Sequence, residues 1–444
     1  MEKLKNGDNS KSITFQRNDF NEVIRILLFS LIGIVIFFVP IKINNQFETV
    51  IYHLSYYIEN KISSIIEISL IFFVMLSTLR NILNKEKSFF SNLSIFIRLL
   101  TLLILISFIL GKEDFFIRDD KFLLVMRDLI YNLVILLPVS AIFMPFLLEY
   151  GLIEIVESYT NKIMKKTFKV SGKVFLNFLV YLLVDTVCGA FFTYRLYKDG
   201  KLREREACIT ILNFSVLSLP LTFDLCNKFN INRWKLILLE IVFLIICNVI
   251  ISRIFPLKKK KQRYYVKAGY KDISCKRNKM KVAIKKRIIR GNNKNIIAYS
   301  MSYLNDLIYT LMDLIPNIIL VFFLGSIIFN TPFIIDKLNE ILILIIKPLH
   351  LPNSDIISSI SNISFFSNII GIKVINEDIF YFTKIILSLI ITLQGISISF
   401  LIPFINKTIF PLNAKEIIIV ILERYAIILF LSSTIYYFYL NYII

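Results

Sequence analysis

One carboxylate stands where carboxylates are expensive. Asp185 lies inside the apolar run VFLNFLVYLLVDTVCGAFF, Val174–Phe192, with Thr186 beside it and Gly189 one turn on. An acid at membrane depth has to be paired, protonated or turned toward water. Such a group can take a solute hydroxyl or a cation, with Thr186 adding a hydroxyl and Gly189 allowing close backbone approach. It can equally pin its own turn by a structural hydrogen bond. Further along, Asn213, Ser215 and Ser218 precede Pro220 and can face Asp185 across a cavity. A second polar set follows in IISSISNISFFSNIIGI, Ile356–Ile372: Asn362, Ser364, Ser367 and Asn368, then Thr392 and Gln394 on the next run. Amides and hydroxyls of this kind bind a small polar solute without charge. They also serve as glue between helices.

Catalysis finds little to work with. The two histidines, His53 and His350, lie far apart, and no HExxH, GxSxG or P-loop motif is present. Five cysteines show no CxxC spacing, so no metal and no cofactor is expected. The sequence reads as a non-enzyme. Glu423 and Arg424 sit about two turns into the last apolar run, and Asp313 in an earlier one. An ion pair between Asp313 and Arg424 would neutralise both and is expected on that ground.

The elements that hold these residues follow from composition. Of 444 residues, 56% are hydrophobic and 14% aromatic, and runs long enough to cross about 30 Å of hydrocarbon recur along the chain. None alternates at period two, which excludes a β-barrel. An all-α polytopic membrane protein is expected, with about nine full spans: 24–41, 62–79, 95–110, 129–148, 207–226, 236–255, 307–329, 379–402 and 417–439. Residues 150–170 alternate Ile153, Val156, Ile163 and Met164 with Glu154, Glu157, Lys162, Lys165 and Lys166, the pattern of a helix lying at the interface.

A repeat organises the spans. DLIYNLVILLP (Asp128–Pro138) returns as DLIYTLMDLIP (Asp306–Pro316), identical at seven of eleven positions and offset by 178. Charge then orients the copies. Residues 256–295 hold 16 Lys/Arg against one acid, Asp272. Basic loops stay on the cytoplasmic side, and that account is preferred to nucleic acid, so no nucleic-acid partner is expected. Every basic loop falls inside only if Val174–Phe192 dips into the bilayer and returns, as irregular backbone can where protein surrounds it. The two DLIY copies then enter from opposite sides, an inverted repeat, and Ile356–Ile372 becomes a matching re-entrant segment. The expected divisions are a cytoplasmic tail (1–23), N-terminal helices (24–127), a first repeat (128–255), a basic cytoplasmic loop (256–305) and a second, inverted repeat (306–444). The N-terminus is placed in the cytoplasm, and the protein is expected to be multi-pass. The lipid bilayer is the partner, and homo-oligomerisation is left open.

SLIGIVIFFVP (Ser30–Pro40), Leu136–Pro138, LVDTVCGAFFTYRLYKDGKLREREA (Leu183–Ala207) and PLNAKEIIIVILER (Pro411–Arg424) resemble the YjiH-like membrane proteins, which carry the nucleoside-recognition or Gate domain. Asp185, Gly189, Thr193, Tyr197, Gly200, Arg205, Glu206, Ala207 and Arg424 fit that family's pattern. The resemblance implies duplicated Gate units in a bacterial inner membrane and a role in transport, Gate units being similar to modules in nucleoside transporters and in some spore-maturation membrane proteins. Two departures stand out: Val184 replaces the glycine next to Asp185, and the second polar segment lacks a carboxylate where relatives tend to carry one. The expected function is a permease of nucleoside-like or other small polar solutes working by alternating access. The alternative is a non-transporting Gate-domain scaffold of envelope or spore development. The basic run TYRLYKDGKLRERE is either a clamp for anionic oxygens or a solvated turn with KDG at its bend.

Overall fold

The computed structural model describes residues 17–43, 46–83, 89–109, 120–266, 279–289, 295–374, 379–395 and 397–442. The first 16 residues, most of the polar link at 112–121, and parts of the basic loop with Cys275 lie outside the described residues. Three helices open the chain: α1 (Arg17–Phe38), α2 (Val50–Leu83) and α3 (Phe89–Ile109). An antiparallel ribbon of β1 (Pro40–Ile43) and β2 (Gln46–Thr49) joins the first two.

A fixed order of elements then appears twice. The first DLIY copy closes α4 (Asp120–Tyr131), which runs through a five-residue π segment, Asn132–Leu136, into α5 (Leu137–Leu148). Pro138 has no N–H and its ring crowds the carbonyl four residues back. The wider π turn just before it absorbs that misfit. Next come α6 (Leu152–Thr167), the half-length helices α7 (Lys173–Leu183) and α8 (Thr186–Lys198), the split pair α9 (Glu204–Asn213) and α10 (Leu219–Phe229), and the long α11 (Arg233–Ile251). After α12 (Lys279–Ile289) the order restarts. It runs α13 (Ile296–Phe329), α14 (Pro332–Ile346), α15 (Ser354–Phe366) with α16 (Asn368–Val374), α17 (Tyr381–Leu393) with α18 (Ile398–Asn406), and α19 (Ala414–Tyr442). The second DLIY copy lies in α13, which passes Pro316 as unbroken α-helix.

Among the described residues five apolar stretches are long enough to cross a membrane: Asp120–Leu148, Arg233–Ile251, Ile296–Phe329, Ala414–Asn441 and Tyr381–Asn406, the last made of α17 and α18 together. The expected span at 207–226 is instead split between α9 and α10. Side-chain distribution agrees with a lipid surround. On α11, Glu240, Phe243, Cys247 and Asn248 are buried while Leu238, Ile241, Val242 and Ile245 face outward. A water-soluble helix has the opposite arrangement.

The helix α6 departs from its expected stripe. Glu154 and Glu157 are buried, and Ile163 is 65% exposed. Glu157 lies 3.6 Å from the buried ammonium of Lys173, on the first turn of α7. A partner thus draws the carboxylate inward, against the residue-type pattern.

Candidate functional site

Two hairpins and one crossing build the site. An 11-residue helix such as α7 spans about 16 Å, roughly half the hydrocarbon thickness. At Val184 and Asp185 the helix stops; Asp185 is extended, with φ −162° and ψ 155°, and caps α8 by accepting from Val187 N at 2.7 Å. The chain folds back, so that Asn177 Nδ2 donates to Thr193 Oγ1 at 2.6 Å and the Tyr181 hydroxyl lies 3.1 Å from it. Gly189 is where the arms touch: a Cβ there would sit 2.4 Å from the Tyr181 ring.

The second hairpin repeats this design. Ser367 is extended, with φ −152° and ψ 121°, between α15 and α16. It stands 182 residues after Asp185, and Gly371 stands 182 after Gly189. A Cβ on Gly371 would meet Ser364 Oγ at 2.4 Å. The residue after each tip binds the unwound stretch that follows it. Thr186 Oγ1 donates to Val216 O at 3.0 Å, and Asn368 Nδ2 donates to Gln394 O at 3.0 Å.

The unwound stretches, 214–218 and 394–395, run against each other. Leu217 N donates to Thr392 O at 2.9 Å. A Cβ on Gly395 would lie 2.1 Å from Ser215 O, so no larger residue fits without parting the two backbones. Where tips and crossing meet, a cavity of about 60 Å³ opens, lined among others by Asp185, Thr186, Ser367, Asn368, Ser397 and Ser399. It has room for a few water molecules.

Four of the twelve expected binding residues line this cavity: Asp185, Thr186, Ser367 and Asn368. Gly189 and Ser364 instead pack their hairpins. Ser215 donates to Leu212 O, and Thr392 gives its carbonyl to Leu217. Asn213 and Ser218 are buried with side chains that find no partner among the described residues, and Gln394 donates to Ile421 O at 3.3 Å. Asn362 turns away to Asn339 of α14 at 2.8 Å. Asn132, Ser397, Ser399 and Gly395 line the cavity unannounced. A π segment and a break inside an expected continuous span carry them; glycine between polar residues in LQGISIS was the available signal.

The expected Asp313–Arg424 pair is not formed. Asp313 accepts from Arg98 Nη2 at 2.9 Å. Arg424, 1% exposed, donates instead to backbone carbonyls at the crossing. A guanidinium satisfies itself on helix-end carbonyls as well as on a carboxylate.

Ion pairs tie each DLIY aspartate to the other unit's hairpin. Asp306 of α13 accepts from Arg195 and, at 2.9 Å, from Lys198, both on α8. Asp128 of α4 accepts from Lys373 of α16 at 3.2 Å. Arg195 also lies 3.8 Å from the Tyr303 ring centroid. Lys201 holds Glu149 at 2.6 Å, and Arg205 Nη2 holds Ser252 O at 2.9 Å. The basic run therefore spends these cations inside the protein, which disfavours a clamp for external anions. Burial pushes the Glu149 carboxyl up, but Lys201, Tyr303 and Arg287 outweigh it and hold the group below the ordinary range. At Asp199 burial wins over Arg195 and Lys201, and the carboxyl is raised.

The chain is similar to an uncharacterized protein of Alkalihalophilus pseudofirmus, 28% identical over 132 residues. That match covers 29% of this chain and 28% of the relative. No family model and no solved structure matches.

Proposed function

We propose that the protein is a permease of the bacterial inner membrane, moving nucleoside-like or other small polar solutes by alternating access between two inverted units. The observation that carries this reading is the cavity: both hairpin tips contribute a polar pair to it, Asp185 with Thr186 and Ser367 with Asn368. Tips that meet at one polar point, each on half-length helices, suit re-entrant segments entering from opposite sides. Nine crossings with a cytoplasmic N-terminus place every basic loop inside. The nucleoside class rests on the resemblance to Gate-domain proteins. At about 60 Å³ the cavity is smaller than a nucleoside, and under this proposal the tips part to admit one.

The rival, a scaffold without transport, draws on one observation: Asp185, the carboxylate of the cavity lining, is already engaged as a helix cap. Purified protein in liposomes, tested for uptake and thermal stabilisation with nucleosides, nucleobases and amino acids, separates the two. Saturable uptake of one class, reduced at least tenfold in Asp185→Ala, is expected. A flat response across the panel by well-folded protein sinks the permease.

A further inference from the structure

The crossing holds one positive charge that no side chain answers. Arg424 Nη2 donates to Leu212 O at 2.7 Å and Asn213 O at 2.8 Å; Nη1 donates to Leu393 O at 2.8 Å and to Ser215 O at 3.4 Å. Leu212 and Asn213 close α9, and Leu393 closes α17. The last carbonyls of a helix lack partners within it, and each helix end amounts to roughly half a negative charge. Two such ends present about one charge, which one guanidinium cancels. Among the described residues no carboxylate bonds Arg424; Asp313 is held by Arg98, and Glu423 Oε2 is buried without a partner. Two further acceptors nearby, Asn213 Oδ1 and Gln394 Oε1, are buried with no partner among the described residues.

We infer that the carbonyls of Leu212, Asn213, Ser215 and Leu393 form a site for one monovalent cation, and that Arg424 is its tethered occupant. Cutting the side chain back uncovers the site to a free cation, guanidinium first by shape and donor number, an alkali ion second by charge. Under the permease proposal, on which this corollary alone rests, solute movement draws on no dissolved cation at the crossing.

The test is the melting temperature of the full-length protein in detergent, so its outcome is independent of any uptake. Arg424→Ala should melt below the wild type. Guanidinium chloride at about 20 mM, too dilute to denature, should raise the variant by roughly 2–4 °C, while choline chloride at equal strength should not. The wild type, its site filled, should gain nothing from either salt. Sodium or potassium in place of guanidinium tells whether charge alone suffices. A folded Arg424→Ala that melts like the wild type, or that none of the three cations lifts, overturns the inference. Where Arg424→Ala yields no folded protein, Arg424→Lys and Arg424→Met decide: Lys retained and Met lost supports a cation site, and equal loss overturns it.

Discussion

The two hairpins share a plan and differ in how firmly they are held. In the first, arms of 11 and 13 residues meet at Asp185, and the outgoing arm is fixed by Arg195 and Lys198 on Asp306. In the second, arms of 13 and 7 residues meet at Ser367, and the outgoing arm is held by Lys373 on Asp128. The Arg195 side chain is 6% exposed, whereas Asp128 is 53% exposed. Buried, multiply bonded ion pairs and solvent-facing ones differ severalfold in what their loss costs. The two hairpins thus share a geometry, while the strength of each fastening follows local burial.

The largest test lies where the two units touch. Gly395→Ala drives a Cβ to 2.1 Å from a backbone oxygen that cannot rotate away. Loss of folded protein, or destabilisation above about 3 kcal/mol, is expected in detergent unfolding. Gly371→Ala meets the Ser364 hydroxyl at 2.4 Å but comes no nearer than 3.6 Å to the Ser364 backbone, so its loss should be the smaller. Equal losses would mean that the crossing is no tighter than the hairpin.

The fastenings come next. Asp306→Asn leaves Arg195 buried with Asp199 and the Tyr303 ring, and should destabilise by about 3 kcal/mol. Asp128→Asn should cost under about 1 kcal/mol, less still at high salt. Unfolding midpoints of both variants at low and high salt check this, and equal effects would erase the contrast. The smallest difference is expected at the tips. Asp185→Ala removes a helix cap worth about 1 kcal/mol, while Ser367→Ala removes a hydroxyl beside a seven-residue helix and should move the midpoint less.

Much of the plan was legible in residue types. Two DLIY copies marked the starts of the repeated order, and Asp185 with Gly189 marked a turn because neither belongs inside an apolar helix. The break after Leu393 was hidden: Gly395 and Ser397 are small, and the run LIITLQGISISFLIP stays apolar enough to pass for one span. The partner of Arg424 was hidden for another reason. Residue types advertise carboxylates, but every helix end offers carbonyls whatever its sequence. Glu157 shows the same weakness, since its place inside depends on Lys173, distant in the pattern but adjacent in space.

The contact of Gly395 with Ser215 has a mechanical meaning. The two backbones are already as near as their atoms allow, and a Cβ at position 395 would wedge them apart. A glycine, by having no side chain at all, sets that closest approach.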